Sequence, residues 1–281
     1  MADTGSADAV RGNMDRLVAK IDEARGIDLG LYRRGYLERR VAARLRVLEI
    51  HSYRHYADFL DEHPEEYDHL IDTLTINVTD FFRDKVVWDS LKRNVIGPMI
   101  KEKIAGRSRT IRVWSAGCAT GEEPYSITMA ILDALGDDAS RFLISVIATD
   151  LDPRALATAE QGVYDVAKRR RIPSGYQVRF TRSIGASQFE ILPEVKRRVR
   201  FQKRSLFDET PLRVIDLIMC RNVFIYFDRD QQARALERFW GSLTRGGYLV
   251  LGRSEKLDPE AARRFEMVDG KERIYRKPQR L

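Results

Sequence analysis

The string WSAGCATGEEPYS (114–126) puts two glycines, Gly117 and Gly121, just ahead of two acids, Glu122 and Glu123. Glycines at such a loop let the backbone turn tightly and approach a ligand closely. The spacing is neither GxGxxG nor GxxxxGK[ST], which excludes a dinucleotide fingerprint and a P-loop. Acids here repel phosphate and suit a ligand carrying a cation; as an isolated pair they would do no more than complement a helix dipole. About thirty residues on, the string IATDLD (147–152) ends in acids. Asp150 at such a strand end suits the hydroxyls of a ribose. Asp152, just before Pro153, suits a helix N-cap better. In CRNVFIYF (220–227), the polar Arg221 and Asn222 close an apolar strand and read as site residues rather than core.

A cation-favouring loop, a ribose acid and no phosphate cradle together point to S-adenosylmethionine (SAM), which has a positive sulfonium and a ribose but no phosphate. No metal is expected. The two cysteines, Cys118 and Cys220, form no CxxC, and the four histidines lie between 51 and 69 without an HExxH.

The elements that must position these residues follow from hydrophobic period. From about residue 110, apolar strands (110–117, 145–152, 214–223, 246–252) alternate with helices (122–135, 153–162, 228–243), and a hairpin signal, Asp269-Gly270, closes the chain. Such alternation means a doubly wound, mostly parallel sheet, whose ligands sit at the carboxyl ends of the strands. Residues 198–206 supply one more strand, and 177–195 alternates like short antiparallel strands. Residues 13–84 read as helices. In 31–48, Leu37, Val41, Leu45 and Leu48 fall within an 80° arc, with Arg33, Arg40 and Arg44 beside it. The expected organisation is a disordered tail over 1–13, a helical domain and linker over 14–84, and an α/β, Rossmann-like domain over 85–281 with a small antiparallel β insertion at about 175–197.

The 281 residues, 43% hydrophobic, suffice for a real core, and no apolar run is long enough to span a membrane. The N-terminus has no signal-peptide pattern, so a cytoplasmic protein without membrane insertion is expected. The net charge of +7 is uneven: residues 1–84 carry −5, and 161–204 carry +9. A basic block of that kind is either a solvated face or a surface for an acidic partner.

The strings INVTDFFRD (76–84), RVWSAGCATGEEPYSI (112–127), IATDLD, DLIMCRNVFIYFD (216–228) and LGRSEKL (251–257) resemble the CheR family, the SAM-dependent methyltransferases of chemotaxis receptors, over almost the whole chain. The resemblance implies methyl transfer to receptor glutamates, giving glutamyl methyl esters and S-adenosylhomocysteine. By the same resemblance Asn77, Thr79 and Arg83 meet the cofactor, Arg83 at the methionine carboxylate. Gly117 belongs to the cofactor loop. Glu122 holds the ammonium, Asp150 the ribose, and Ser205 and Leu206 the adenine side. Arg221, Asn222 and Tyr226 line the methyl-transfer pocket, Arg221 and Tyr226 as catalytic residues that orient the carboxylate. Arg40, Arg44 and Arg46 are implied receptor contacts. Some members grip a receptor C-terminal peptide through a Gly-rich hairpin loop; TRSIGASQF (181–189) is short with a single Gly, which counts against such tethering. Two alternatives stay open: a methyltransferase acting on RNA or DNA, favoured by the basic block but lacking aromatic-interleaved basic stretches, and a non-catalytic SAM-sensing scaffold.

Overall fold

The computed structural model describes residues 4–26, 29–74, 79–208 and 212–279, with side chains from Met14 onward except that of Leu31. Asn77, one of the expected cofactor residues, lies outside the described residues. The chain forms two compact units, Met1–Asn77 with Tyr226–Gln231, and Val78–Ile225 with Gln232–Leu281.

The first unit holds helices α1 (Thr4–Arg25), α2 (Arg34–Val47), α3 (Tyr53–Glu62) and α4 (Glu66–Leu74). Of the tail expected over 1–13, residues 1–3 lie outside the described residues, and α1 begins at Thr4. Met14, Leu17 and Ile21 bury one face of α1, and no proline interrupts the stretch before them, so the helix propagates from that anchored face. The stripe expected on α2 is buried as Leu37, Val41 and Leu45, with Tyr36 beside it.

One charged pair is buried inside this unit. Glu66, 4% exposed, takes Nε and Nη2 of Arg44 at 2.5 Å each and the Tyr56 hydroxyl at 2.8 Å. Arg44, implied by the resemblance as a receptor contact, thus turns its fork inward onto a carboxylate. A bidentate arginine is what a buried carboxylate needs to stay ionised. Arg40 stacks on the Tyr36 ring at 5.6 Å, and Arg46 is exposed. The Tyr226 ring lies 5.0 Å from that of Tyr36 and 6.1 Å from that of Tyr32, and Arg33 N donates to Tyr226 O.

The second unit is built on a seven-stranded mixed sheet. In chain order its strands are β1 (Thr110–Ala116), β2 (Leu143–Asp150), β6 (Val199–Lys203), β7 (Ile215–Cys220), β8 (Leu243–Leu251), β9 (Glu266–Asp269) and β10 (Ile274–Arg276). Their order across the sheet is β6-β2-β1-β7-β8-β10-β9. The first five pair in parallel, and β10 pairs antiparallel with both β8 and β9. β7 is buried at every position and β1 nearly so, as a parallel sheet covered on both faces requires. The covering helices are α5 (Lys85–Leu91), α6 (Gly97–Ala105), α7 (Glu122–Leu135), α8 (Pro153–Gln161), α12 (Arg229–Ser242) and α13 (Pro259–Arg264). Strand order runs from β1 outward through β2 to β6 on one side, and from β7 to β8 on the other. The reversal falls between β1 and β7, so their carboxyl ends form the crevice.

The insertion is a separate three-stranded antiparallel sheet of β3 (Val163–Asp165), β5 (Gln188–Ile191) and β4 (Thr181–Ile184), with short helices α9 (Val166–Arg169), α10 (Ser174–Phe180) and α11 (Pro193–Lys196) around it. Residues 177–180, expected as strand, are helical. Tyr176 and Phe180 are buried four residues apart while Val178 is 84% exposed, which is a helical period and not an alternating one. Residues 79–84, expected as the linker that ends the helical segment, pack with the sheet: Phe81 and Phe82 are buried in its core cluster.

The Arg44–Glu66 pair makes a pH-dependent contribution. Burial pushes the Glu66 carboxyl up, but the hydrogen bonds from Arg44 and Tyr56 and the Arg44 charge outweigh it and hold it below the usual range. A depressed folded pKa contributes stability above the unfolded value of about 4.3, lost as pH falls through the folded one. Glu66→Gln is expected to cost roughly 3 kcal/mol at pH 7 by leaving Arg44 without its counter-charge. In denaturant titrations of the full chain, the gap between wild type and variant should close below about pH 4; a gap that stays constant down to pH 3 would disprove the assignment.

Candidate functional site

β1 ends at Ala116, and Gly117 follows at φ +77°. A side-chain carbon added at Gly117 would lie 2.5 Å from Val223 Cγ2, so glycine is what lets this loop close against the one after β7. The loop is then pinned from β2: Gly117 N and Cys118 N both donate to Thr149 O, at 2.8 and 3.0 Å. Helix α7 starts at Glu122, whose carboxylate is fully buried and accepts from Thr120 Oγ1 (2.7 Å) and Lys168 Nζ (2.5 Å). Glu123 accepts from Ser115 Oγ at 2.8 Å and faces Arg221 Nη1 at 3.7 Å. Burial raises its carboxyl above the usual range despite the pull of Arg221.

Asp150 closes β2. Its Oδ2 accepts from Ala119 N (2.8 Å) and its Oδ1 from Asp152 N (3.0 Å). Two carboxylate oxygens offer about four acceptor positions, so hydroxyl donors can still be taken. Burial raises this carboxyl too, against those backbone donors. Asp152 caps α8 as its position before Pro153 implied, accepting from Arg154 N and Ala155 N. Beside β2, the chain leaving β6 is tied to Asp150 by Arg204 N donating to Asp150 O; Ser205 and Leu206 follow, with Ser205 Oγ accepting from Phe207 N and Leu206 buried.

At the end of β7, the Arg221 side chain is 3% exposed. Its Nη2 donates to Asp84 Oδ2 (2.7 Å) and Arg83 O (3.2 Å), and its Nε has no hydrogen-bond partner among the described residues. The loop 79–84 that carries Thr79 and Arg83 is thereby fastened to the crevice, with Phe82 N donating to Ser126 Oγ and Trp88 Nε1 to Arg83 O. Thr79, Arg83, Gly117, Glu122, Asp150, Ser205, Leu206, Arg221 and Asn222 all fall in the sheet unit, on loops at strand carboxyl ends or beside them. Tyr226 belongs to the helical unit.

Two important groups were invisible as such in the sequence. Glu255, 4% exposed, accepts from the backbone N–H of Asn222 (3.1 Å), Phe224 (2.7 Å) and Gly252 (2.5 Å). It holds Asn222 at φ +62°, and a side-chain carbon on Gly252 would lie 2.7 Å from its Oε2. The LGRSEKL string signalled that the segment matters, though not that its acid is a clamp. Lys168 lay hidden in the basic run 168–171. Cys118 and Cys220 are buried, and burial pushes both thiols up, so neither offers a thiolate nucleophile near neutrality.

This donor set fits SAM. It offers a buried carboxylate already bearing an ammonium, a second carboxylate with acceptor capacity, and an unpartnered guanidinium N–H. The comparisons agree. The description "CheR methyltransferase, SAM binding domain" matches residues 77–274, and "CheR methyltransferase, all-alpha domain" matches 13–75. The chain belongs to the CheR methyltransferase family. It is a SAM-dependent methyltransferase. The chemotaxis protein methyltransferase of Klebsiella aerogenes is 37% identical over 249 residues, 86% of this chain and 82% of that protein. That of Listeria monocytogenes is 34% identical over 233 residues, 83% and 85% of the two chains. A 104.1 kDa protein of Rhodobacter capsulatus is 34% identical over 245 residues, 87% of this chain, but the chain spans only 25% of that protein. No helix among the described residues is long and apolar enough to cross a membrane.

Glu255→Gln tests the clamp. The amide nitrogen it introduces would face backbone donors, so stability should fall by about 1–3 kcal/mol. Calorimetry should show weaker S-adenosylhomocysteine binding, since Arg221 and Asn222 lose their support. Unchanged stability and unchanged affinity together would refute the clamp.

Proposed function

We propose that this CheR-family chain methylates glutamate side chains on the cytoplasmic helices of chemoreceptors, producing glutamyl methyl esters. The observation that carries the substrate reading is Arg221: buried at the switch point, with a free Nε–H that suits a carboxylate oxygen. Chemotaxis methyltransferases as relatives, matched over more than four-fifths of their length, support it. When bound, SAM supplies a sulfonium-activated methyl for displacement by a carboxylate oxygen.

The chain's own residues then have modest tasks. Glu122 takes the cofactor's ammonium and Asp150 its ribose; Thr79, Arg83, Gly117, Ser205, Leu206 and Asn222 shape the remainder. The acceptor glutamate, with an ordinary pKa of about 4.3, is already ionised at neutral pH and needs no general base. Arg221 orients it. Because Asp84 and Glu123 already neutralise the guanidinium, it does not grip the acceptor so tightly that the ground state is stabilised. Tyr226 is assigned orientation as well, since a phenol acting as base would have to ionise far below about 10. On the helical unit, Arg40 and Arg46 are the proposed contacts for acidic receptor helices, whereas Arg44 is held by Glu66. The nucleic-acid alternative loses ground because four cations of the basic block are paired internally: Lys168 with Glu122, Arg171 with Asp80, Arg182 with Glu190, Arg204 with Asp208.

Labelled SAM incubated with receptor cytoplasmic domains should yield base-labile label released as methanol; stable label in RNA or DNA would overturn the reading. Asp150→Asn is expected to weaken S-adenosylhomocysteine about tenfold, roughly 1.4 kcal/mol. Tyr226→Phe should lower turnover at nearly constant cofactor affinity. A wild-type pH–rate limb near 7 that vanishes in Tyr226→Phe would instead demand proton transfer.

A further inference from the structure

Tyr226 follows β7 closely in sequence but takes its anchors from the helical unit. Two residues before it, Phe224 is buried and its backbone N–H donates to Glu255. Ile225, between them, is 41% exposed. From Tyr226 to Gln231 the chain belongs with the helices. Arg33 N donates to Tyr226 O at 2.7 Å, Arg33 Nε donates to Phe227 O, and Gln231 Nε2 reaches Gly30 O at 3.4 Å. The Tyr226 ring meets those of Tyr36, at 5.0 Å and 54°, and Tyr32, at 6.1 Å. Tyr36 is itself fixed from several sides. It is buried, its hydroxyl donates to Leu74 O at 2.7 Å, its ring stacks with Tyr32 at 6.1 Å, and the Arg40 guanidinium stands 5.6 Å from its centre.

We propose that Tyr36 is a positioning residue for methyl transfer: its ring is the platform that holds the Tyr226 phenol in the direction the acceptor carboxylate needs. The inference rests on the role given to Tyr226 under Proposed function. The two bonds from Arg33 place the main chain of Tyr226 and Phe227 but leave the Tyr226 side-chain torsions to packing. Aromatic pairs with centroids about 4.5–7 Å apart favour particular relative orientations, which an aliphatic neighbour does not impose. A group that orients a reactant has to be held within about 0.5 Å and 10–20°. The phenol oxygen lies at the far end of its side chain, so any swing of the ring displaces it more than the atoms nearer the backbone. Tyr36 spends its own hydroxyl on Leu74 O and acts on the reaction through Tyr226 alone. Helix α2 thus carries both Arg40, the proposed receptor contact, and the ring that sets the phenol.

A double-mutant cycle on turnover tests this. Wild type, Tyr36→Met, Tyr226→Phe and the double variant are assayed with labelled SAM and receptor cytoplasmic domains, scored as base-released methanol, and each is titrated with S-adenosylhomocysteine. Tyr36→Met keeps an apolar chain in the buried place and removes the ring. It should lower kcat about fivefold, with S-adenosylhomocysteine affinity and acceptor KM within about twofold of wild type. Tyr36→Phe, which keeps the ring, should stay within about twofold in kcat. Once the Tyr226 hydroxyl is gone its direction no longer matters, so the double variant should turn over within about twofold of Tyr226→Phe. A double variant slowed by the product of the two single effects, or wild-type kcat in Tyr36→Met, would overturn the proposal. Equal losses in kcat and cofactor affinity would make Tyr36 purely structural and overturn it too. Should circular dichroism show Tyr36→Met unfolded, Tyr32→Leu removes the other ring and is run through the same cycle, with an expected loss of about threefold that again vanishes beside Tyr226→Phe. The two levels separate cleanly. Full turnover by Tyr226→Phe, or no methyl ester from wild type, would overturn the reading of Tyr226 and this proposal with it. A slow Tyr226→Phe with independent effects in the cycle would overturn only the role of Tyr36.

Discussion

The crevice between β1 and β7 gathers several acids with little exposure, and each of these carboxylates has to be compensated. Glu122, Glu123, Asp150 and Glu255 are half-buried or buried, and Asp84 stands at their edge. Removing such charges from water is costly unless each finds an opposite charge or several donors. Two solutions appear. Glu255 and Asp150 are held by backbone N–H groups, which add no net charge. Glu122 and Glu123 are held by side-chain cations, Lys168 and Arg221. The first solution ties neighbouring loops together, and the second sets a cation directly beside each acid.

The backbone-held acids set the geometry. Glu255 gathers N–H groups from the loops after β7 and after β8, so these neighbouring parallel strands end on a shared anchor. Asp150 does the same between the loop after β1 and its own. Gly117 then permits the β1 loop to close against Val223. The crevice is thus assembled by main-chain hydrogen bonds at strand ends, and side chains such as Arg221 inherit their position from it. Main-chain bonds to a buried carboxylate are charge-assisted and short, which suits a site that must keep its shape without ligand.

The main strands and their mostly parallel pairing were legible because apolar runs of the right length, separated by helical periods, have few other solutions. The site loops were legible because glycines and acids at strand ends are poorly explained as core. What stayed hidden was the partner of each charge. Arg44 lies on the basic flank of α2, and its neighbours in sequence say solvent; only the tertiary approach of Glu66, twenty-two residues on, turns it inward. Lys168 sits in a run of four cations and pairs with an acid forty-six residues earlier. Residues 177–195 misled in a different way: Tyr176 and Phe180 mark a helical turn whose four-residue spacing also fits an alternating strand. Ion pairs between distant segments leave no periodic trace, so composition tends to assign their members to the surface.

The balance of charge around Arg221 bears on rate as well as stability. In the proposed reaction a carboxylate and a sulfonium lose their charges together as the methyl moves between them. Charge therefore falls between ground state and transition state, and strong local solvation of either reactant raises the barrier. A bare arginine facing the acceptor would act as such a solvating group, tightening binding and slowing transfer. Asp84 and Glu123 reduce the field of the guanidinium while leaving its Nε–H as a directional donor. The acceptor would then be placed by geometry more than by charge, and positioning of that kind is worth on the order of 7–11 kcal/mol when reactants are well oriented. When the reacting groups are a carboxylate and a sulfonium that both lose their charge in the step, turnover gains from holding those ionic groups loosely and the backbone firmly.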